Sequence, residues 1–138
     1  MVGWWQGRDI IWRAELDRFP DADTAKREDT KREQDRAGLW TAFLESGAAT
    51  GDRPGPEEAE AVVDAALAHI GMANCALAVL PLEDALALPE QPNLPGTIDE
   101  HPNWRRRPAG DAATILDEPA VSRRLALFAR ARPPAQEP

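Results

Sequence analysis

Apolar residues recur along this chain mostly at helical spacing. Trp12, Leu16 and Phe19 fall at i, i+4 and i+7, and Pro20 ends that segment because its ring blocks a further helical turn. Thr24 to Glu45 is charge-rich until Leu39, Trp40, Phe43 and Leu44 make an apolar stripe, and Gly47 stops it. Ser46–Pro56, rich in glycine and proline, is a loop. Pro56-Glu57-Glu58 opens the next helix, since proline suits a first turn without amide partners and acidic side chains suit the positive end of the dipole. The stripe of that helix is Val62, Val63, Ala66, Leu67 and Ile70. A closing helix is expected over Ala120–Arg132, with Val121, Leu125 and Phe128 on one face and arginines on the other. Pro133–Pro138 is expected to be a disordered tail.

One segment departs from this rhythm. Cys75–Leu80 is an unbroken apolar run between Gly71 and Pro81, the pattern of a strand buried on both faces of a parallel sheet. No second strand candidate accompanies it, and a lone strand leaves its buried backbone groups unpaired. The expected architecture is therefore α/β, mostly helical with one buried strand, and incomplete: one βα unit of a larger parallel protein. Ligands in such proteins sit at the carboxyl ends of strands, which directs attention to Pro92–Arg107.

Composition narrows the function classes. The 138 residues include 13 prolines, 29% are charged, and the formal net charge is −8, so one compact unit is the most the chain supports. That balance excludes phosphate-backbone binding and an anionic membrane surface as the main business of the protein, and it makes Arg105–Arg107 a local patch. The single cysteine, Cys75, rules out an internal disulfide and a multi-cysteine zinc site. A cytoplasmic setting follows, with no signal peptide, membrane span, metal or other cofactor expected.

Three stretches carry a resemblance. GWWQGRDI at Gly3–Ile10, LPLEDALAL at Leu80–Leu88 and QPNLPGTIDEHPNWRRR at Gln91–Arg107 resemble, in order, the C-terminal part of bacterial 4-α-glucanotransferases, the amylomaltases of glycoside hydrolase family 77. The NLPGT and HPNWRRR pair is the specific part of the signal. The resemblance implies a TIM (β/α)8-barrel parent, of which residues 1–132 are the helices after strand seven, strand eight and the final helix. It also implies transfer of α-1,4-glucan segments to the 4-hydroxyl of glucose or another glucan, by retention. An aspartate nucleophile, a glutamate acid/base and a second aspartate do this work in the family, the last in a Thr-His-Asp stretch just ahead of the position of Gly3. The chain is thus expected to hold no catalytic carboxylate and to be inactive alone. Pro81 stands where many family members have glutamine.

Asn93 and Pro95 are the expected glucan contacts: an amide both donates to and accepts from sugar hydroxyls, and flanking prolines hold the loop ready. Turn capping by Asn93 is the equal alternative. One of Trp4 and Trp5 is expected to pack and the other, assigned to Trp4, to approach the sugar. Asn103, Trp104 and Arg105 are expected to anchor the loop, Trp104 by buried area and Arg105 by pairing with Glu83, Asp84 or Glu100. Glu83 and Asp84, adjacent on an extended segment, would point apart and suit structural roles. His101 is expected exposed or hydrogen-bonded, His69 near a helix end, and Cys75 in the core. The partners implied are a maltooligosaccharide or α-glucan and the rest of the barrel. Two other readings stand beside this one: a non-catalytic fragment that docks with a complementary N-terminal half, and an independent helical interaction module.

Overall fold

The computed structural model describes residues 1–132, so the expected disorder of Pro133–Pro138 falls outside the described residues. Six helices follow in order: α1 (Val2–Gln6), α2 (Arg8–Glu15), α3 (Ala22–Glu45), α4 (Ala59–Gly71), α5 (Leu82–Ala85) and α6 (Pro119–Ala131). Gly7, at φ 76°, closes α1 and starts α2, a left-handed position that a side chain would disfavour. Asp21 caps α3, its carboxylate accepting the Thr24 N–H at 2.6 Å. A 3-10 turn over Pro56–Glu58 leads into α4, and the Glu58 carboxylate reaches back to the Gly55 N–H at 3.0 Å.

The core lies where α1, α3 and α4 meet, built from Val2, Trp5, Trp40, Phe43, Val62, Val63 and Leu67. Burying those side chains at roughly 25 cal/mol per Å² of apolar surface is the main stabilising term. Trp5 is fully buried and donates its indole N–H to the Gly55 carbonyl at 3.1 Å, while Trp40 donates to the Gly51 carbonyl at 3.3 Å. The two indoles thereby close the Ser46–Pro56 loop over the core. Helix α6 crosses α4 closely: a Cβ on Gly71 would come within 2.8 Å of the Phe128 carbonyl oxygen, so only glycine fits there.

The expected α/β architecture is not what forms. Among the described residues there is no strand and no sheet. Cys75–Leu80 runs as irregular chain at the surface, with Leu77 77% and Val79 68% exposed, and Cys75 is exposed rather than in the core. Apolar composition alone does not make a strand: a ladder needs a neighbour, and no backbone–backbone hydrogen bond among the described residues involves positions 76–80. The start of the run is tied by Arg132, whose guanidinium donates to the Cys75 carbonyl at 2.6 Å and the Ala73 carbonyl at 3.2 Å, and its last residue, Leu80, is half-buried against the core.

Arginines provide a second correction. On α6 they do not all face away from the packed side, because Arg124 is buried three residues after Val121. It donates to Asp64 at 3.0 Å, Glu60 at 2.7 Å and the Ala85 carbonyl at 3.2 Å, joining α6 to α4 and α5. On α3, Arg32 and Arg36 are buried at the spacing that Trp40 and Phe43 continue. Arg32 grips both oxygens of Asp9 at 2.8 Å in a bidentate fork, which ties α3 to α2. Arg32 and Arg124 are thus buried with their guanidinium groups held by carboxylates and carbonyls of neighbouring helices.

Candidate functional site

Between Pro81 and Ala109 the chain folds back across α1. Leu82–Ala85 is a helical turn rather than the end of a strand, and Asp84 pairs with the N-terminal ammonium of Met1. Gly3 lies against the next stretch so tightly that a Cβ would stand 2.0 Å from the Pro89 carbonyl oxygen. These contacts fix the segment that carries Glu83, Glu90 and Gln91.

The following loop is organised by polar groups around one buried side chain, Leu94. The Leu94 N–H donates to the Asn103 carbonyl oxygen at 2.9 Å, and the Asn103 amide donates to the Thr97 carbonyl at 3.0 Å and the Thr97 hydroxyl oxygen at 2.8 Å. The Thr97 hydroxyl in turn donates to the Leu94 carbonyl at 2.7 Å. Glu100 accepts the Ile98 N–H at 2.9 Å and the Asp99 N–H at 3.1 Å, and pairs with Arg18 beyond the end of α2. Backbone N–H donation, first from Ile98, holds its carboxyl below the ordinary range, with the Arg18 charge acting in the same direction. His101 is buried against Trp12, ring centres 5.4 Å apart, with Nε2 3.3 Å from the Gln91 carbonyl oxygen.

Trp104 departs from its expected role as buried ballast. The residue is 75% exposed and sits at φ 57°, a left-handed conformation that costs a non-glycine residue about 1 kcal/mol or more. Its backbone N–H donates to the Pro92 carbonyl at 2.7 Å. A tie through the main chain therefore presents the indole outward.

Two cavities adjoin beneath this loop. The larger, about 420 Å³, lies between the Glu83–Pro92 stretch and Trp104, Arg106 and Arg107. The smaller, about 220 Å³, lies between that same stretch and Met1, Gly3 and Trp4. Glu83, Leu88, Glu90, Gln91 and Pro92 line both. A Trp4-to-Trp104 depression with carboxylates and an amide along its middle can offer flat apolar faces and hydroxyl-binding groups at once.

A family model described as 4-alpha-glucanotransferase matches residues 1–111. The chain belongs to the 4-alpha-glucanotransferase family. No curated protein and no solved structure matches it. The match takes in α1 to α5 and the whole of Gln91–Arg107, and ends before α6.

Within this glucanotransferase segment the sequence-expected residues fall at separate places. Trp4 is half-buried at the smaller cavity, with the Arg32 guanidinium 4.5 Å above its ring. Asn93 is half-buried and Pro95 exposed, and neither is among the residues lining the two cavities. Asn103 makes the hydrogen bonds that hold the loop. Arg105 is exposed and pairs with Asp99 at 3.6 Å, not with Glu83, Asp84 or Glu100. Sequence reasoning did not assemble Glu83, Gln91 and Arg107 into one depression. Gln91 and Arg107 adjoin prolines 92 and 108 and Glu83 follows Pro81 by two residues, a signal of stiffened chain that does not reveal that these walls face each other.

No helix among the described residues is long and apolar enough to cross a membrane, and no cluster of three potential metal ligands occurs among them.

Proposed function

We propose that this chain takes part in transferring α-1,4-glucan segments to the 4-hydroxyl of glucose or another glucan by a retaining mechanism, in the cytoplasm. We further propose that it contributes glucan contacts while the reacting carboxylates belong to a portion of the enzyme outside these 138 residues. The family match over residues 1–111 carries this reading. Retention needs two carboxyls about 5–5.5 Å apart, one attacking the anomeric carbon while the other protonates the departing 4-oxygen. The second then takes the proton of the acceptor hydroxyl as that oxygen displaces the enzyme carboxylate. The motifs of this chain, Gly3–Ile10, Leu80–Leu88 and Gln91–Arg107, correspond to none of the family's reacting groups.

The test is disproportionation of maltotriose, followed as released glucose. The purified chain alone is expected to release none, and the chain mixed with the complementary N-terminal portion of a family member is expected to do so. Glucose from the chain alone overturns the division of labour; a mixture that neither associates nor turns over overturns the transferase reading. The docking partner is thus part of the proposal.

One observation favours an independent helical module as a second reading: Trp5, Val62 and Val63 are fully buried within this chain's own helices. Cooperative thermal unfolding of the isolated chain supports that reading, and a broad, non-cooperative melt removes it.

A further inference from the structure

We infer that Cys75–Leu80 is a self-association edge, at which a second copy of this chain docks by antiparallel main-chain pairing. Its middle is open on two counts. Among the described residues, positions 76–80 make no backbone–backbone hydrogen bond, and only the Leu77 carbonyl accepts a bond at all, from the Cys75 thiol at 3.1 Å. Leu77 and Val79 are exposed, while Leu80 packs against the core. Arg132 holds one end of the segment at the Ala73 and Cys75 carbonyls and Leu80 holds the other, so docking has little further chain to order.

The chemistry of the segment suits its own copy. Ile70–Leu82 contains no charged residue, and Ile70, Met72 and Leu82 are exposed in the same stretch as Leu77 and Val79. A charged partner segment finds no complement there; an apolar one does. In antiparallel pairing centred on Ala78, Ala76 faces the second copy's Leu80 and Leu77 faces its Val79, so every position meets an apolar residue across the two-fold. Main-chain bonding then runs through Ala76, Ala78 and Leu80, because alternate residues share an edge, and the Leu77 carbonyl keeps its thiol donor. Leu77 and Val79 of the two copies fall on one face and cover each other. The formal charge of −8 on each copy opposes association, so salt is expected to strengthen it by screening that repulsion. Self-association of this kind is independent of the transferase reading.

Sedimentation velocity of the full chain from about 1 to 100 μM tests this, a range set by the small, weak interface that a short ribbon makes. A monomer–dimer equilibrium is expected, and raised salt is expected to favour the dimer. Val79→Lys, at an exposed position, is expected to weaken dimerisation roughly tenfold or more with the helical circular dichroism unchanged. Disulfide trapping reads the register. In the Cys75→Ser, Ala78→Cys double variant the introduced thiols meet across the two-fold with Cα atoms about 5.5 Å apart, and they are expected to link under mild oxidation. The Cys75 thiols of the unmodified chain stand about 20 Å apart in that register, at roughly 3.4 Å per residue, and are expected to stay unlinked. A chain that is monomeric throughout the range overturns the docking edge. So do a Val79→Lys variant that dimerises like the unmodified chain, growth beyond the dimer, and a Cys75 link that forms as fast as the one through Ala78→Cys.

Discussion

The helical core and the Gln91–Arg107 loop are stabilised by different physics. Around Trp5, Trp40, Phe43, Val62 and Val63 the helices exclude water, and apolar area does the work. The loop buries only Leu94 and His101, and is shaped by Asn103, Thr97 and Glu100 bonding to nearby main chain. Apolar burial is non-directional and tolerates small shifts, whereas a hydrogen-bonded loop holds one geometry or loses it. Trp104, held at φ 57° with its N–H on the Pro92 carbonyl, depends on the second kind of order. It can be lost while the core stays folded, and that separation is open to experiment.

The core is where a single change has the largest effect. Trp5→Ala removes a fully buried indole and leaves the Gly55 carbonyl without its donor, so about 3–5 kcal/mol of stability is expected to go. Chemical denaturation read by far-UV circular dichroism measures it through the shift in midpoint. A loss below about 1 kcal/mol would mean that Trp5 sits in a site able to collapse, and the core would then resemble the loop more than its burial indicates.

Helices of that core were legible in the sequence because their signal is local. The pattern placed a helix over Thr24–Glu45 and the structure has it over Ala22–Glu45; the closing helix, expected over Ala120–Arg132, spans Pro119–Ala131. Cys75–Leu80 was misread because a run of apolar residues reports composition and not partners. The arginines of the closing helix were placed opposite its apolar face, yet Arg124 lies three residues after the buried Val121; Arg32 and Arg36 likewise stand at helical spacing from Trp40, a signal of burial that the charge-rich reading of that segment did not use. The Trp4-to-Trp104 depression was illegible for a different reason. Glu83 and Arg107 are far apart in sequence, and nothing periodic links them; only the fold-back over α1 makes them neighbours.

A smaller and more local effect is expected in the loop. Asn103→Ala deletes the acceptor of the Leu94 N–H and both donors to Thr97, leaving the buried end of Leu94 short of a partner. The cost is about 1–3 kcal/mol, confined to the loop. Hydrogen exchange separates the two regions: the Leu94 and Thr97 amides should lose protection while those of α4 keep theirs. Equal loss in both would show that loop and core unfold as one unit, and the contrast between them would fall.

Protonation is the mildest perturbation. The folded pKa of Glu100 is depressed by the Ile98 and Asp99 N–H groups and Arg18, so its contribution is fully present above the unfolded pKa and fades as pH falls through the lower folded value. Acid should therefore release the Ile98–Glu100 turn and its tie to Arg18. Asp21 and Glu33 on the α3 side are depressed in the same direction, Asp21 mainly by the Thr24 hydroxyl and Glu33 mainly by Arg53, so a bulk acid melt mixes both regions. Site-resolved observation avoids this. The amide chemical shifts of Ile98 and Asp99 should titrate with a midpoint below the ordinary carboxylate range, and Glu100→Gln, which keeps the shape without the charge, should abolish that titration while the Thr24 amide still responds through Asp21. A Glu100→Gln variant whose Ile98 amide titrates unchanged would place the controlling carboxylate elsewhere, and the loop would no longer owe its shape to groups within itself.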